Sequence, residues 1–176
     1  VIFTSNESLS IEQNWARIKS ITKNEFMTMI GHDDLLHPNY LEEMDSLIKK
    51  YPSASLYQTH FDYINDNGKL VRQCLHMNEI QYAHEFLADQ MKRQIDSTGT
   101  GYMMRSKDFD AAGGMPAEYP NLIFSDYQLW ISLMQLGYKA TSSKKCFSYR
   151  LHQSVSKITN GMAYQQAFLK YCDFLI

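Results

Sequence analysis

Ile11, Trp15, Ile18 and Ile21 recur at three- and four-residue spacing behind Ser10 and Gln13, a capping-box pair, and predict a helix over 11–22. The short apolar run EFMTMI (25–30), stopped by Gly31, has the pattern of a buried strand. Asn39 and Glu42 make a second capping-box pair; Leu41, Met44, Leu47 and Ile48 give the following helix an inner face, and Pro52 lies just past its end. ASLYQTHFDYI (54–64) is rich in strand formers, and NDNG (65–68) ahead of KLVRQ predicts a hairpin. A helix is expected over 78–93, with Ile80, Ala83, Phe86 and Leu87 as its buried stripe. GTGYMMR (99–105) returns to a strand, and Ser106 is expected to cap a short helix that Gly113 and Gly114 stop. After a loop over 115–124, Ser125 caps a helix with Leu129, Trp130 and Leu133 inward and Gly137 at its close. FSYRL (147–151) is a strand candidate, 152–161 a polar loop, and 162–176 a final aromatic-rich helix.

Strands alternating with helices argue for an α/β fold, with the hairpin adding an antiparallel part. In such sheets ligands bind beyond the carboxyl ends of strands. Asp33 and Asp34 fall there, between the 25–30 strand and the next helix. Two neighbouring carboxylates repel unless a cation or hydrogen-bond donors offset the charge. The pair therefore admits two readings: solvated turn acids favoured by the helix N-terminus, or a site for Mg²⁺ or Mn²⁺ completed by substrate phosphates.

Composition narrows the classes. The 176 residues suit one compact domain, and 44% hydrophobic residues can build a core. A formal charge of -2 gives no basic footprint for nucleic acid, so a phosphate-bearing ligand needs a local site. Cys74, Cys146 and Cys172 are far apart, the pattern of free thiols in a reducing cytoplasm. No leader and no bilayer-length apolar run is visible, so a soluble, cytoplasmic protein is expected. The opening VIFTSNESLS starts at Val1 on what reads as a strand, and is expected to mark a fragment. His32, His37, His60, His76 and His84 lack metal-ligand spacing and read as surface or packed residues; Trp130 reads as core.

The ordered set DDLLHPNYLEEM, GTGYMMRSKDFDAAGGMP, SDYQLWISLMQLGYKA and YRLHQSVS resembles the later part of family-2 glycosyltransferases of the GT-A fold, over roughly 14–156. The resemblance implies a GT-A-like mixed sheet flanked by helices, incomplete at its N-terminus: a partial catalytic domain over 1–160, with the 161–176 helix packing on it. It also implies an inverting, metal-dependent transferase using Mg²⁺ or Mn²⁺. The donor would be a nucleoside-diphosphate sugar, a UDP-sugar foremost, and the acceptor a hydroxyl of a glycan or lipid-linked glycan in bacterial surface polysaccharide synthesis, with no nucleic-acid partner and association with the inner face of the membrane an option. Carried over by position, Asp33 and Asp34 would bind metal and donor, and which of them touches the metal stays open; the family often has an earlier acid where this chain has Gly31. Asp126 would be the general base, with Ser125 in place of the usual Glu. Arg150 and His152 would meet the donor phosphates, and Asn14 would face the nucleotide. The missing acids at Gly31 and Ser125 leave a non-catalytic remnant or glycan-binding module as the rival reading. A two-carboxylate hydrolase is a further rival, turning on the unknown separation of Asp34 and Asp126.

Overall fold

The computed structural model describes residues 2–151 and 161–176. Its helices are α1 (Ile11–Ala16), α2 (Tyr40–Lys50), α3 (Ala83–Met91), α4 (Ser106–Ala111), α5 (Ser125–Gln135) and α6 (Gly161–Leu175). The strands are β1 (Phe26–Thr28), β2 (Leu35–Leu36), β3 (Leu56–Ile64), β4 (Leu70–Gln73), β5 (Ile80–Gln81), β6 (Met103–Arg105) and β7 (Lys139–Arg150). They form one mixed sheet in the order β1-β6-β3-β7-β2, with β4 on β3 and β5 on β7. Among the described strands only the β3–β7 pairing is parallel; it runs from Leu56 opposite Lys139 to Ile64 opposite Arg150. An α/β mixed sheet flanked by helices is thus what the chain builds.

The two-residue alternation of strands divides the core into layers. Leu56 and Met104 point to the side covered by Phe86, Phe109, Leu129, Trp130 and Leu133. Their neighbours Tyr57 and Met103 point to the opposite side, against Tyr40, Met44 and Leu47 of α2. Trp130 is fully buried, its ring tilted against Tyr102 with centroids 4.3 Å apart, and its indole N–H donates to the Thr98 carbonyl. The core reading of this residue holds. Helix α6 buries Ala167 and Tyr171 against Tyr119 and Ile123, so it packs on the loop that leads into α5.

Several local expectations give way to tertiary contacts. The stretch 2–10 carries no strand. Helix α1 forms its Ser10–Gln13 capping box but turns into a 3₁₀ helix at Arg17–Ser20, short of residue 22. Asn39 makes no side-chain cap, because its ψ of 4° continues the preceding turn instead of taking the extended backbone an N-cap needs. Leu41 is 66% exposed, and Tyr40, Met44 and Leu47 take the inner face. Residues 80–81 pair with β7 as a strand, which delays α3 to Ala83 and leaves Ile80 half-exposed. Ser106 and Ser125 are the first helical residues of α4 and α5, not their caps: Ser106 Oγ donates to the Asn24 carbonyl and Ser125 Oγ to that of Pro116. The strand expected over 147–151 starts much earlier, at Lys139.

Candidate functional site

Segment 98–101, TGTG, joins the two acidic stretches. Its Thr98 carbonyl is anchored by Trp130, and its Thr100 Oγ1 donates to Asp34 Oδ2 at 2.5 Å. Gly101 has φ +81°, and a Cβ there would stand 2.6 Å from the Phe147 ring, so only glycine lets the segment pass. Gly99 lies against the third acid: a Cβ there would be 3.6 Å from Asp126 Oδ2. One short segment therefore touches both Asp34 and Asp126.

Asp34 is 8% exposed and tightly held, with Oδ1 accepting from the Arg150 backbone N–H at 2.9 Å and Oδ2 from Thr100. Asp33 is more open. Beside them, a Cβ on Gly31 would sit 2.9 Å from Asp33 Oδ1 and 3.0 Å from Asp34 Oδ2. Both carboxylates thus converge on a space that the absent side chain leaves vacant. That cradle, with hard oxygen donors on two sides, fits a cation such as Mg²⁺ or Mn²⁺. Among the described residues no group of three or more His, Cys, Asp or Glu side chains assembles, so phosphate oxygens and water would supply the remaining ligands.

Asp126 lies in the first turn of α5, where its Oδ1 accepts from the Tyr127 backbone N–H at 3.0 Å. Burial pushes its carboxyl from the usual 3.8 up to about 6, only partly offset by backbone hydrogen bonds. The preceding Phe124 has φ +67°, and Asn121 and Leu122 also have positive φ. Three non-glycine residues in this region within four positions store backbone strain, which persists only where the surroundings enforce it. Here they do: the Asn121 N–H donates to Glu12 Oε1, and the Phe124 ring stacks on Tyr171 at 5.3 Å with planes 8° apart.

Asp33, Asp34 and Asp126 line one cleft of about 600 Å³. Sequence reasoning passed over Tyr149, which lines it too; burial raises its phenol pKa first, and the charges of Asp34, Asp126 and Asp33 add to that. Its strand position beside Arg150 was the available signal. No Lys or Arg is among the described residues lining the cleft. Arg150 acts from behind it, with Nε donating to the Asp33 carbonyl and Nη1 to those of Asn65 and Asp66. Asn14 sits inside α1, where Ile11 and Trp15 reach the cleft; its own Oδ1 accepts from Arg17. His152 lies outside the described residues.

A family model described as glycosyl transferase family group 2 matches residues 26–167. The chain belongs to this family. Among solved structures, this family-group-2 chain is similar to TarS of S. aureus. It aligns over 80% of its length with TM-score 0.58 and 13% identity, and with TarS 1-349 over 75% with TM-score 0.54 and 13% identity. Those likenesses concern the fold, a GT-A-like mixed sheet. The chain spans 24% and 37% of the two TarS chains. No curated protein sequence matches it. Among the described residues no helix is long and apolar enough to cross a membrane.

Proposed function

We propose that this chain carries the acceptor-activating and diphosphate-binding part of an inverting glycosyltransferase. The observation that carries the reading is the meeting of Asp33, Asp34 and Asp126 in one cleft. In this reading Asp126 accepts the proton of an acceptor hydroxyl as that oxygen bonds to the anomeric carbon. The bond from that carbon to the diphosphate breaks on the opposite face. A carboxyl with pKa about 6 is ionised at neutral pH yet more basic than an ordinary aspartate, which suits this task.

A diphosphate entering a cleft lined by three carboxylates, with no Lys or Arg among its described lining residues, meets repulsion from those acids. A divalent cation, Mg²⁺ or Mn²⁺, held by Asp33 and Asp34 would neutralise that charge and the charge growing on the leaving group. Arg150 keeps those acids in place through the Asp33 carbonyl and its own backbone N–H to Asp34. The donor class is a nucleoside-diphosphate sugar, UDP-linked foremost, and the acceptor a glycan or lipid-linked glycan of a bacterial surface polysaccharide. The second reading, a remnant without turnover, draws on Ser125, which stands where the family usually has Glu and turns its hydroxyl back to the Pro116 carbonyl.

Two measurements separate these readings. Calorimetric titration of UDP, GDP and dTDP with and without Mn²⁺, into this chain and into a longer chain that contains it, should show metal-dependent heat for one nucleotide with the longer chain and weak or no heat with this chain alone; none with either supports the remnant. With UDP-sugar turnover in hand, Asp126→Asn should abolish it and leave nucleotide binding intact. Normal turnover in that variant would remove Asp126 as the base.

A further inference from the structure

Tyr149 lines the cleft from β7, one residue before Arg150. Burial aside, its phenol feels the charge of Asp34 most, then that of Asp126, then that of Asp33. The hydroxyl therefore stands between the paired acids and the base, on the side of the pair. We propose that Tyr149 donates a hydrogen bond to the diphosphate oxygen that leaves the anomeric carbon. This rests on the transferase reading and gives it a second residue at the reacting centre, beside Asp126.

The hydroxyl is available for that task. Among the described residues none hydrogen-bonds it, whereas Thr98 Oγ1 in the same cleft donates to the Thr100 carbonyl and Thr100 Oγ1 to Asp34. A phenol is neutral at pH 7 and can donate or accept; carboxylates and phosphate oxygens only accept, so toward both Tyr149 acts as a donor. An ammonium in the same place would pair with the three carboxylates instead.

The ring is also fixed before a ligand arrives. It meets Tyr63 edge-on with centroids 5.6 Å apart, and the buried Tyr63 lies under the Arg72 guanidinium at 3.8 Å. Asp96 grips that guanidinium with both oxygens, at 2.7 and 2.9 Å. A donor held in this way needs no reorganisation when charge develops in front of it.

In the step itself the acceptor oxygen bonds to the anomeric carbon and its proton passes to Asp126. The bond from that carbon to the diphosphate breaks, and its electron pair stays on the departing oxygen. Tyr149 keeps its own proton and shares it with that oxygen. Negative charge there grows as the bond breaks, so the hydrogen bond strengthens towards the transition state.

The test uses the longer chain of the titration above, with Mn²⁺, whichever of UDP, GDP and dTDP it binds, and the matching monophosphate. Tyr149→Phe removes only the hydroxyl and keeps the packing on Tyr63, so its melting temperature should match that of the parent. The diphosphate should bind about tenfold more weakly to the variant, the loss of one hydrogen bond to a charged oxygen. The monophosphate lacks the leaving phosphate and should bind equally to both. Where a sugar donor is turned over, kcat should also fall by about tenfold or more. Unchanged diphosphate binding, an equal loss for the monophosphate, or an unchanged kcat overturns the proposal. Absence of nucleotide binding by the parent removes the transferase reading and this role with it; equal binding by parent and variant removes Tyr149 alone.

Discussion

Asp126 offers a sharp test because its proposed role should make it a burden to the fold. Burial raises its carboxyl pKa from 3.8 to about 6, so the folded protein holds a proton there that the unfolded chain releases. Between those two values the folded state binds more protons, and stability falls as pH rises. The cost is absent below about pH 3.8 and complete above about pH 6. At roughly 1.4 kcal/mol per pH unit, two units give about 3 kcal/mol, and partial access of the carboxyl to the cleft brings this to about 2. Asp126→Asn keeps the shape and the acceptor for the Tyr127 N–H but removes the charge. Urea denaturation should find the variant about 2 kcal/mol more stable near pH 8 and equal to the parent near pH 4, as if a functional charge were being relieved. A variant that is less stable near pH 8, or equally stabilised at both pH values, would refute the reasoning.

Three further outcomes follow from other contacts. In Gly31→Ala the new Cβ would fill the space between Asp33 Oδ1 and Asp34 Oδ2, so Mn²⁺-dependent UDP binding should weaken by about tenfold or more while thermal stability changes little. Arg150→Lys replaces a fork bonded to three carbonyls by a single ammonium; chemical denaturation should show a loss of about 1–3 kcal/mol, and a loss of nothing would mean the fork does not hold the acid loop. Lys139 is fully buried with two neutral hydrogen-bond acceptors, Gln58 Oε1 and the Met77 sulfur, and burial depresses its pKa from 10.5 to about 7 despite nearby Asp89. Unfolding releases it to take up a proton, so stability should rise from about pH 7 towards pH 10, and this rise should be missing in Lys139→Met.

Much of this architecture was open to reading along the chain, because it rests on local periodicity. The Trp130 stripe of α5, the Ser10–Gln13 box and the 65–68 hairpin all follow from spacing and turn chemistry, and the structure keeps each. The ordered acidic and aromatic segments likewise point to the family. Where the reading slipped, another part of the fold competed for the same residues. Ile80 and Gln81 looked helical until β7 offered a strand edge, and Ser125 looked like a cap until the Pro116 carbonyl took its hydroxyl. The polar run 141–145 does not look like a strand, yet parallel pairing of Thr141, Ser142 and Lys145 with β3 draws it into one.

The sequence by itself settled the kinds of group present and their order: two adjacent acids after a strand, a third at a helix start, an arginine near the end of the last strand. Those are properties of residue type and near-neighbour spacing, which local sterics and hydrophobic periodicity govern. Only the tertiary structure decided that Asp33, Asp34 and Asp126 share one cleft, that Arg150 braces it from behind, and that Tyr149 and Tyr164 line it. Separations of about a hundred residues along the chain are closed by sheet register and by the packing of α6, and so are the raised pKa of Asp126 and the strained backbone of Phe124, which arise from burial and from contacts no local pattern encodes.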